Sequence, residues 1–260
     1  MQNSAKTLVP PARTGSRSAQ LASELGRRVV AGVYAPASTL PPEAALLQEF
    51  GVSRTLLREA VKALESKGLL EARQRRGTCV TPRTVWNMLD AEVLGWIAQS
   101  DADPEMLIRL TELRMIVEPG ACALAAQRRD EAGLQRVEAA WRRMVEGVDD
   151  TERFVAADRD FHVALLAAAD NDYLAAIGTA ISAALTVSLR QTNPSASGNR
   201  ASLPAHERIL AALRDGDPVA AAGHSRCQLQ DAMERLRASG GRRPGRRVRA
   251  SSGPSAKPPE

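Results

Sequence analysis

The 260-residue sequence predicts a mainly α-helical protein, with an N-terminal winged helix-turn-helix carrying a small β-hairpin wing and a C-terminal all-α helical bundle. Three observations lead there. Ala, Leu and Arg dominate and only 3% of residues are aromatic, which favours helices over a β-sandwich. Three capped helical segments and a short basic hairpin follow one another in the order of a winged helix. From residue 104 onward, apolar residues recur at helical spacing with no strand pattern.

The first helix is expected over 19–31, where Leu21, Leu25, Val29 and Val30 fall on one face, Ser18 is available as cap and Gly32 ends it. Pro41, Pro42 and Glu43 open a short second helix that runs through Phe50 and stops at Gly51. Ser53 caps a third helix reaching Lys67, terminated by Gly68. On it, Leu57, Ala60, Val61 and Leu64 share the inward face, while Arg54, Thr55, Arg58 and Lys62 point elsewhere. A basic stripe starting at a helix N-terminus suits the helix that reads base edges. Residues 69–72 and 78–81 read as two short strands. Between them Arg73, Gln74, Arg75, Arg76 and Gly77 form a hairpin tip with the charge of a wing touching phosphate or minor groove.

Residues 83–103, with Trp86 and Trp96, read as a helical connector rather than a flexible linker, and Asp103 with Pro104 as N-cap and first helical residue of the next domain. The body is expected as helices near 104–127 (kinked or broken at Pro119), 131–147, 151–169, 172–191, 204–214 and 217–237. Residues 1–17 and 238–260 are low in apolar periodicity and read as disordered tails, the second one basic. The winged domain thus occupies 18–82 and the effector-binding bundle 104–237.

The formal charge of +5 divides unevenly. Residues 1–82 hold 12 Lys/Arg against 6 Asp/Glu, residues 83–237 hold 17 against 23, and residues 238–260 hold 6 against 1. A basic head joined to an acidic body points to a polyanion partner for the head alone, because counterion release requires clustered positive charge. The 3 cysteines, Cys79, Cys122 and Cys227, are odd in number and form no C-x-x-C pair, which argues against a disulfide framework or thiolate knuckle and for the reducing cytoplasm. No uninterrupted apolar stretch of about 18 residues and no apolar signal core are present, so neither a membrane span nor export is expected.

Leu40 to Glu43, Phe50 to Arg54, Leu57 to Ala60, Leu64, Gly68-Leu69 and Arg76 to Thr78 closely resemble the winged-helix domain of the GntR family of bacterial transcription regulators. The body resembles the ligand-binding domain of its FadR-like branch. The residues that carry this are Leu113-Arg114, Val117 to Pro119, Leu124 to Ala126, Asp158 to His162, Asn171, Ala205 to Glu207 and Gly216-Asp217. Within that branch, Pro82-Arg83, Trp86-Asn87, Leu89-Asp90, Val93-Leu94, Trp96 and Asp103-Pro104 look like the connector of galactonate-type repressors. The resemblance implies that Ser53, Arg54, Thr55 and Arg58 contact operator DNA and that the wing tip at Gly77 follows the minor groove. Chemistry agrees, since Arg offers a planar fork for guanine O6 and N7, and a Ser or Thr at a helix start can hold phosphate. Two departures stand out: Ala44 replaces a frequent DNA-contacting Arg, and Arg75 replaces a common wing Gly.

Asp158 and His162 are four residues apart, so carboxylate and imidazole share a helix face and can reach one metal ion. The resemblance adds His206 and a later His around a divalent cation, with zinc the expected identity. That later position holds Gln228, and His224 lies one turn earlier. Three readings stand: a site of Asp158, His162 and His206 completed by water or an effector oxygen; a fourth ligand from Gln228 or His224; or a polar pair without metal. Arg114 falls where the family directs a guanidinium into the pocket, suited to a sugar-acid carboxylate, and its alternative is an ion pair with Glu118 at i+4.

The sequence is therefore read as a homodimeric, ligand-responsive repressor that binds a palindromic operator in double-stranded DNA and is released by a small carboxylate, a sugar acid of the galactonate type. Another small carboxylate such as lactate, glycolate or a dicarboxylate is the alternative within the class. A metal-dependent enzyme lacks support, since no H-E-x-x-H motif or second carboxylate pair is evident. A structural nucleoid protein would have no need of a pocket-bearing body.

Overall fold

The computed structural model describes residues 16–100, 105–128 and 130–240, with the side chains of the last two set aside. The tails expected over 1–17 and 238–260, and the cap at Asp103 and Pro104, therefore lie largely or wholly outside the described residues. Arg17 already belongs to the first helix and the last helix reaches Gly240.

The head contains α1 (Arg17–Val30), α2 (Glu43–Phe50) and α3 (Arg54–Ser66), then β1 (Leu70–Arg73) and β2 (Gly77–Val80). Ser53 caps α3 by accepting from Leu56 N at 3.3 Å, and Leu57, Ala60 and Leu64 form its buried face, as the spacing predicts. The two strands pair antiparallel with Leu70 opposite Val80 and Arg73 opposite Gly77. Ser38–Leu40 lines the free edge of β2 through Val80 N to Ser38 O and Leu40 N to Thr78 O, both 2.8 Å. The wing is thereby anchored to the segment that leads into α2. At its tip Arg75 takes a left-handed φ of 63°, the conformation that favours the glycine it replaces.

The connector, expected to be helical, is helical in two pieces. A 3-10 turn at Arg83–Val85 is followed by extended backbone at Trp86, and α4 begins only at Ala91, ending at Gln99. The cause is competition from the end of α3. Asn87 N donates to Lys67 O at 2.9 Å, the Asn87 side chain accepts from Leu89 N at 3.2 Å, and Asp90 caps α4 while pairing with Lys67 at 2.7 Å. Local side-chain bonds of this kind divert the backbone from helix. Gly68, at φ +76°, is required here because a Cβ would meet Val85 O at 2.4 Å.

The body is a bundle of six helices among the described residues: α5 (Met106–Arg128), α6 (Glu131–Glu146), α7 (Thr151–Ala168), α8 (Asp172–Thr192), α9 (Ala196–Asp215) and α10 (Pro218–Gly240). α5 continues through Pro119 without a break. α9 starts eight residues before Pro204, where a helix start was expected, and holds Pro204 in its interior. Ser195 caps the extra turns, and Asn199, fully buried, donates to Val148 O at 3.0 Å; tertiary contacts override a polar, glycine-containing stretch of weak helix propensity. By length and composition α8 could cross a membrane, which the sequence reading did not anticipate; in this fold it packs along α4 and α7.

One apolar core runs through both domains. Leu25 of α1, Leu64 of α3, Trp86, Trp96 and Ile97 of the connector, and Leu110 and Ile181 of the body belong to the same buried cluster. A second cluster, around Phe154, Phe161, Ile209 and Leu210, sits beneath the polar centre described next.

Candidate functional site

Two sites emerge. The first is the exposed face of α3 with the wing. Ser53, Arg54, Thr55 and Arg58 are all exposed, and so are Arg73, Arg76 and Gly77. A cleft of about 550 Å³ separates α3 from the wing, with Arg58 and Lys62 on one wall and Arg76 and Gly77 on the other. Arg73 is turned back along its strand, with Nε 3.1 Å from Glu71 Oε2. Glu43, at the start of α2, reaches both helix arginines: its Oε1 is 2.8 Å from Arg54 Nε and its Oε2 is 3.8 Å from an Arg58 terminal nitrogen. In the sequence Glu43 stands only as the opening of the second helix and within the family-like Leu40 to Glu43 segment; its contacts with Arg54 and Arg58 join two helices and have no local signal.

The second site lies inside the body. Asp158 and His162 come from α7 and His206 from α9, and all three are fully buried. Their ligand atoms lie within 4.8 Å of one another. Asp158 Oδ1 is 3.1 Å from His206 Nε2 and 3.3 Å from His162 Nε2. Each imidazole is held from behind: His162 Nδ1 is 2.8 Å from Glu118 Oε2, and His206 Nδ1 donates to Ser202 O at 2.9 Å. With the Nδ1 protons directed to Glu118 and Ser202, both Nε2 lone pairs face the Asp158 carboxylate. Three electron-rich atoms then converge on one buried point, and a cation or additional protons must sit between them. His162 Nε2 has no well-aligned hydrogen-bond partner, so the donor set fits a divalent ion bound by two imidazoles and a carboxylate.

The surrounding charges are consistent with that demand. Burial drives the Asp158 carboxyl upward, yet the charge of His206, the close approach of His162 and the hydrogen bond from His206 outweigh it and hold it below the usual carboxylate range. Glu118 is likewise pushed up by burial but brought down to about 2 by Arg114 and His162. Burial lowers His162, and Arg114 adds to that, but the charge of Glu118, the close approach of Asp158 and the hydrogen bond to Glu118 raise it overall.

Arg114, only 1% exposed, places Nε 2.5 Å from Glu118 Oε1. Of the two readings of Arg114, this structure contains the Glu118 ion pair. Glu118 links Arg114 to His162, and Asn193 at the end of α8 donates to Asp158 Oδ2 at 3.0 Å; the Arg114–Glu118 pair follows from its four-residue spacing, whereas the contacts to His162 and Asp158 have no signal in local spacing. His224 is half-buried and outside the Asp158–His162–His206 group, whereas Gln228 is buried with its Oε1 lacking a partner.

Comparison with known proteins decides the class. Residues 17–80 match the model of bacterial regulatory proteins of the gntR family, and residues 109–231 match the FCD domain. The galactonate operon transcriptional repressor of Escherichia coli K12 is 33% identical over 228 residues, covering 86% of this chain and 98% of that protein. The chain belongs to the GntR family. It is a DNA-binding transcriptional regulator, not an enzyme. The regulator LutR of Bacillus subtilis is 32% identical over 62% of this GntR chain and 72% of its own length. The solved structure of Lar, described as controlling the agr system of Listeria monocytogenes, superposes with a TM-score of 0.65 at 19% identity, covering 87% of this chain and 99% of that one, and so shares the fold.

Proposed function

We propose that this GntR regulator is a cytoplasmic homodimeric repressor whose winged heads hold a palindromic operator and whose body releases it on binding a sugar acid of the galactonate type. Ser53, Arg54, Thr55 and Arg58 read or grip the DNA, and Arg73, Arg76 and Gly77 follow the backbone and minor groove. Asp158, His162 and His206 hold a divalent ion, zinc being the expected one, and an effector oxygen or water completes its shell. Arg114 then exchanges part of its pairing with Glu118 for the effector carboxylate.

The observation that carries this reading is the convergence of both Nε2 atoms and Asp158 Oδ1 on one buried point, with the two Nδ1 atoms already engaged. Metal analysis of purified protein before and after chelation tests it. About one equivalent of zinc or another divalent ion per chain, lost in Asp158→Ala, is expected. Metal-free protein with undiminished aldonate binding would remove the ion from the account.

A further inference from the structure

We infer that Glu43 is a positioning residue for sequence reading: its carboxylate bridges Arg54 and Arg58, fixes their orientation on α3 and disfavours binding to phosphate alone. The inference rests on the reading of α3 as the DNA-contacting helix and deepens it.

Glu43 stands between the two arginines. Glu43 is the first residue of α2, directly after Pro41 and Pro42, so its backbone leaves a rigid segment and its charge sits at the favourable end of the helix dipole. Oε1 lies 2.8 Å from Arg54 Nε and Oε2 3.8 Å from an Arg58 terminal nitrogen, so the one carboxylate forms an ion pair with both arginines. Binding through Nε leaves the far edge of the Arg54 guanidinium, with both terminal nitrogens, free for a bidentate contact with a guanine. Both arginine side chains are about two-thirds exposed, at 69% and 67%, so without Glu43 each long side chain would sample many rotamers and lose more entropy on docking.

Glu43 also lines the cleft that contains Arg58, Lys62 and Arg76. A carboxylate among these cations lowers the local positive potential and repels phosphate. Such a penalty falls on any duplex, whereas the ordering of Arg54 and Arg58 benefits only a duplex presenting matching base edges. The two effects act together on the ratio of specific to non-specific affinity.

The test uses full-length protein and two probes: the duplex it enriches from a randomised pool, and a random-sequence duplex of equal length. Glu43→Gln is expected to bind the random duplex several-fold more tightly and the enriched duplex more weakly, reducing the affinity ratio about tenfold or more. Glu43→Asp, which keeps the charge on a shorter arm, should retain more of the ratio than Glu43→Gln. An unchanged ratio in Glu43→Gln, or equal changes on both probes, overturns the inference. Failure of the wild type to enrich any duplex would instead overturn the reading of α3 on which it rests.

Discussion

The indole of Trp96 lies against the backbone of Gly26 so closely that a Cβ on that glycine would be 2.3 Å from Cζ3. Gly26 belongs to the head and Trp96 to the connector helix, and the next residue back, Gly95, faces Ala183 of α8. α4 therefore acts as a wedge with one side on the DNA-binding domain and the other on the helix whose last turn leads to Asn193 and Asp158. A shift of α8 in response to a ligand has a packed route to α1, because close-packed interfaces transmit displacement rather than absorb it.

Gly26→Ala should separate head from connector or strain both. We expect a loss of about 1–3 kcal/mol, measured by denaturant unfolding, together with weaker coupling between effector and DNA affinities. A variant as stable as wild type with unchanged coupling would remove this contact from the transmission route.

The pair Lys67–Asp90 ties the end of α3 to the start of α4 at 2.7 Å. Burial raises the Asp90 carboxyl, but Lys67 and the cap hydrogen bonds bring it below its ordinary value. Its contribution to stability is therefore present above the unfolded carboxylate pKa of about 3.9 and lost as pH falls through the lower folded value. Asp90→Asn preserves the cap and removes the charge. It should cost up to about 1 kcal/mol at neutral pH, and the gap from wild type should close as pH falls below about 4. A pH-independent difference in unfolding free energy would contradict the ion-pair assignment.

Glu118→Gln leaves Arg114 buried without its counter-charge. A loss of about 3–5 kcal/mol is expected from equilibrium unfolding. A change below about 1 kcal/mol would mean that Arg114 finds another partner.

On the DNA face, Arg58→Ala should lower affinity for the enriched duplex by about 1–3 kcal/mol and relax specificity at one base pair. Arg76→Ala should weaken all sequences alike and reduce the salt slope by about 1. Affinity measured against salt concentration distinguishes the two, and exchanged behaviours would reverse the roles of helix and wing.

The head was legible because its signals are local: Ser53, Gly51 and Gly68 mark helix ends, and Leu57, Ala60 and Leu64 mark an inner face. Asp158 and His162 were legible through their four-residue spacing, while His206 was placed by family resemblance. Other features depend on distant partners. The start of α9 depends on Asn199 meeting Val148 across 51 residues, and the interrupted connector on Asn87 and Asp90 meeting Lys67. The links from Glu118 to His162 and from Asn193 to Asp158 span 44 and 35 residues, beyond the reach of any periodicity.

Release of DNA by ligand tests the central claim most directly. With full-length protein on a labelled duplex from its own regulatory region, fluorescence anisotropy should fall when galactonate or a related hexonate is added. Asp158→Ala should still bind the duplex but require at least about tenfold more acid for release, in keeping with coupling energies of about 1–3 kcal/mol. Retention of the duplex at every aldonate and uronate concentration, or release of Asp158→Ala at the wild-type concentration, would contradict the account.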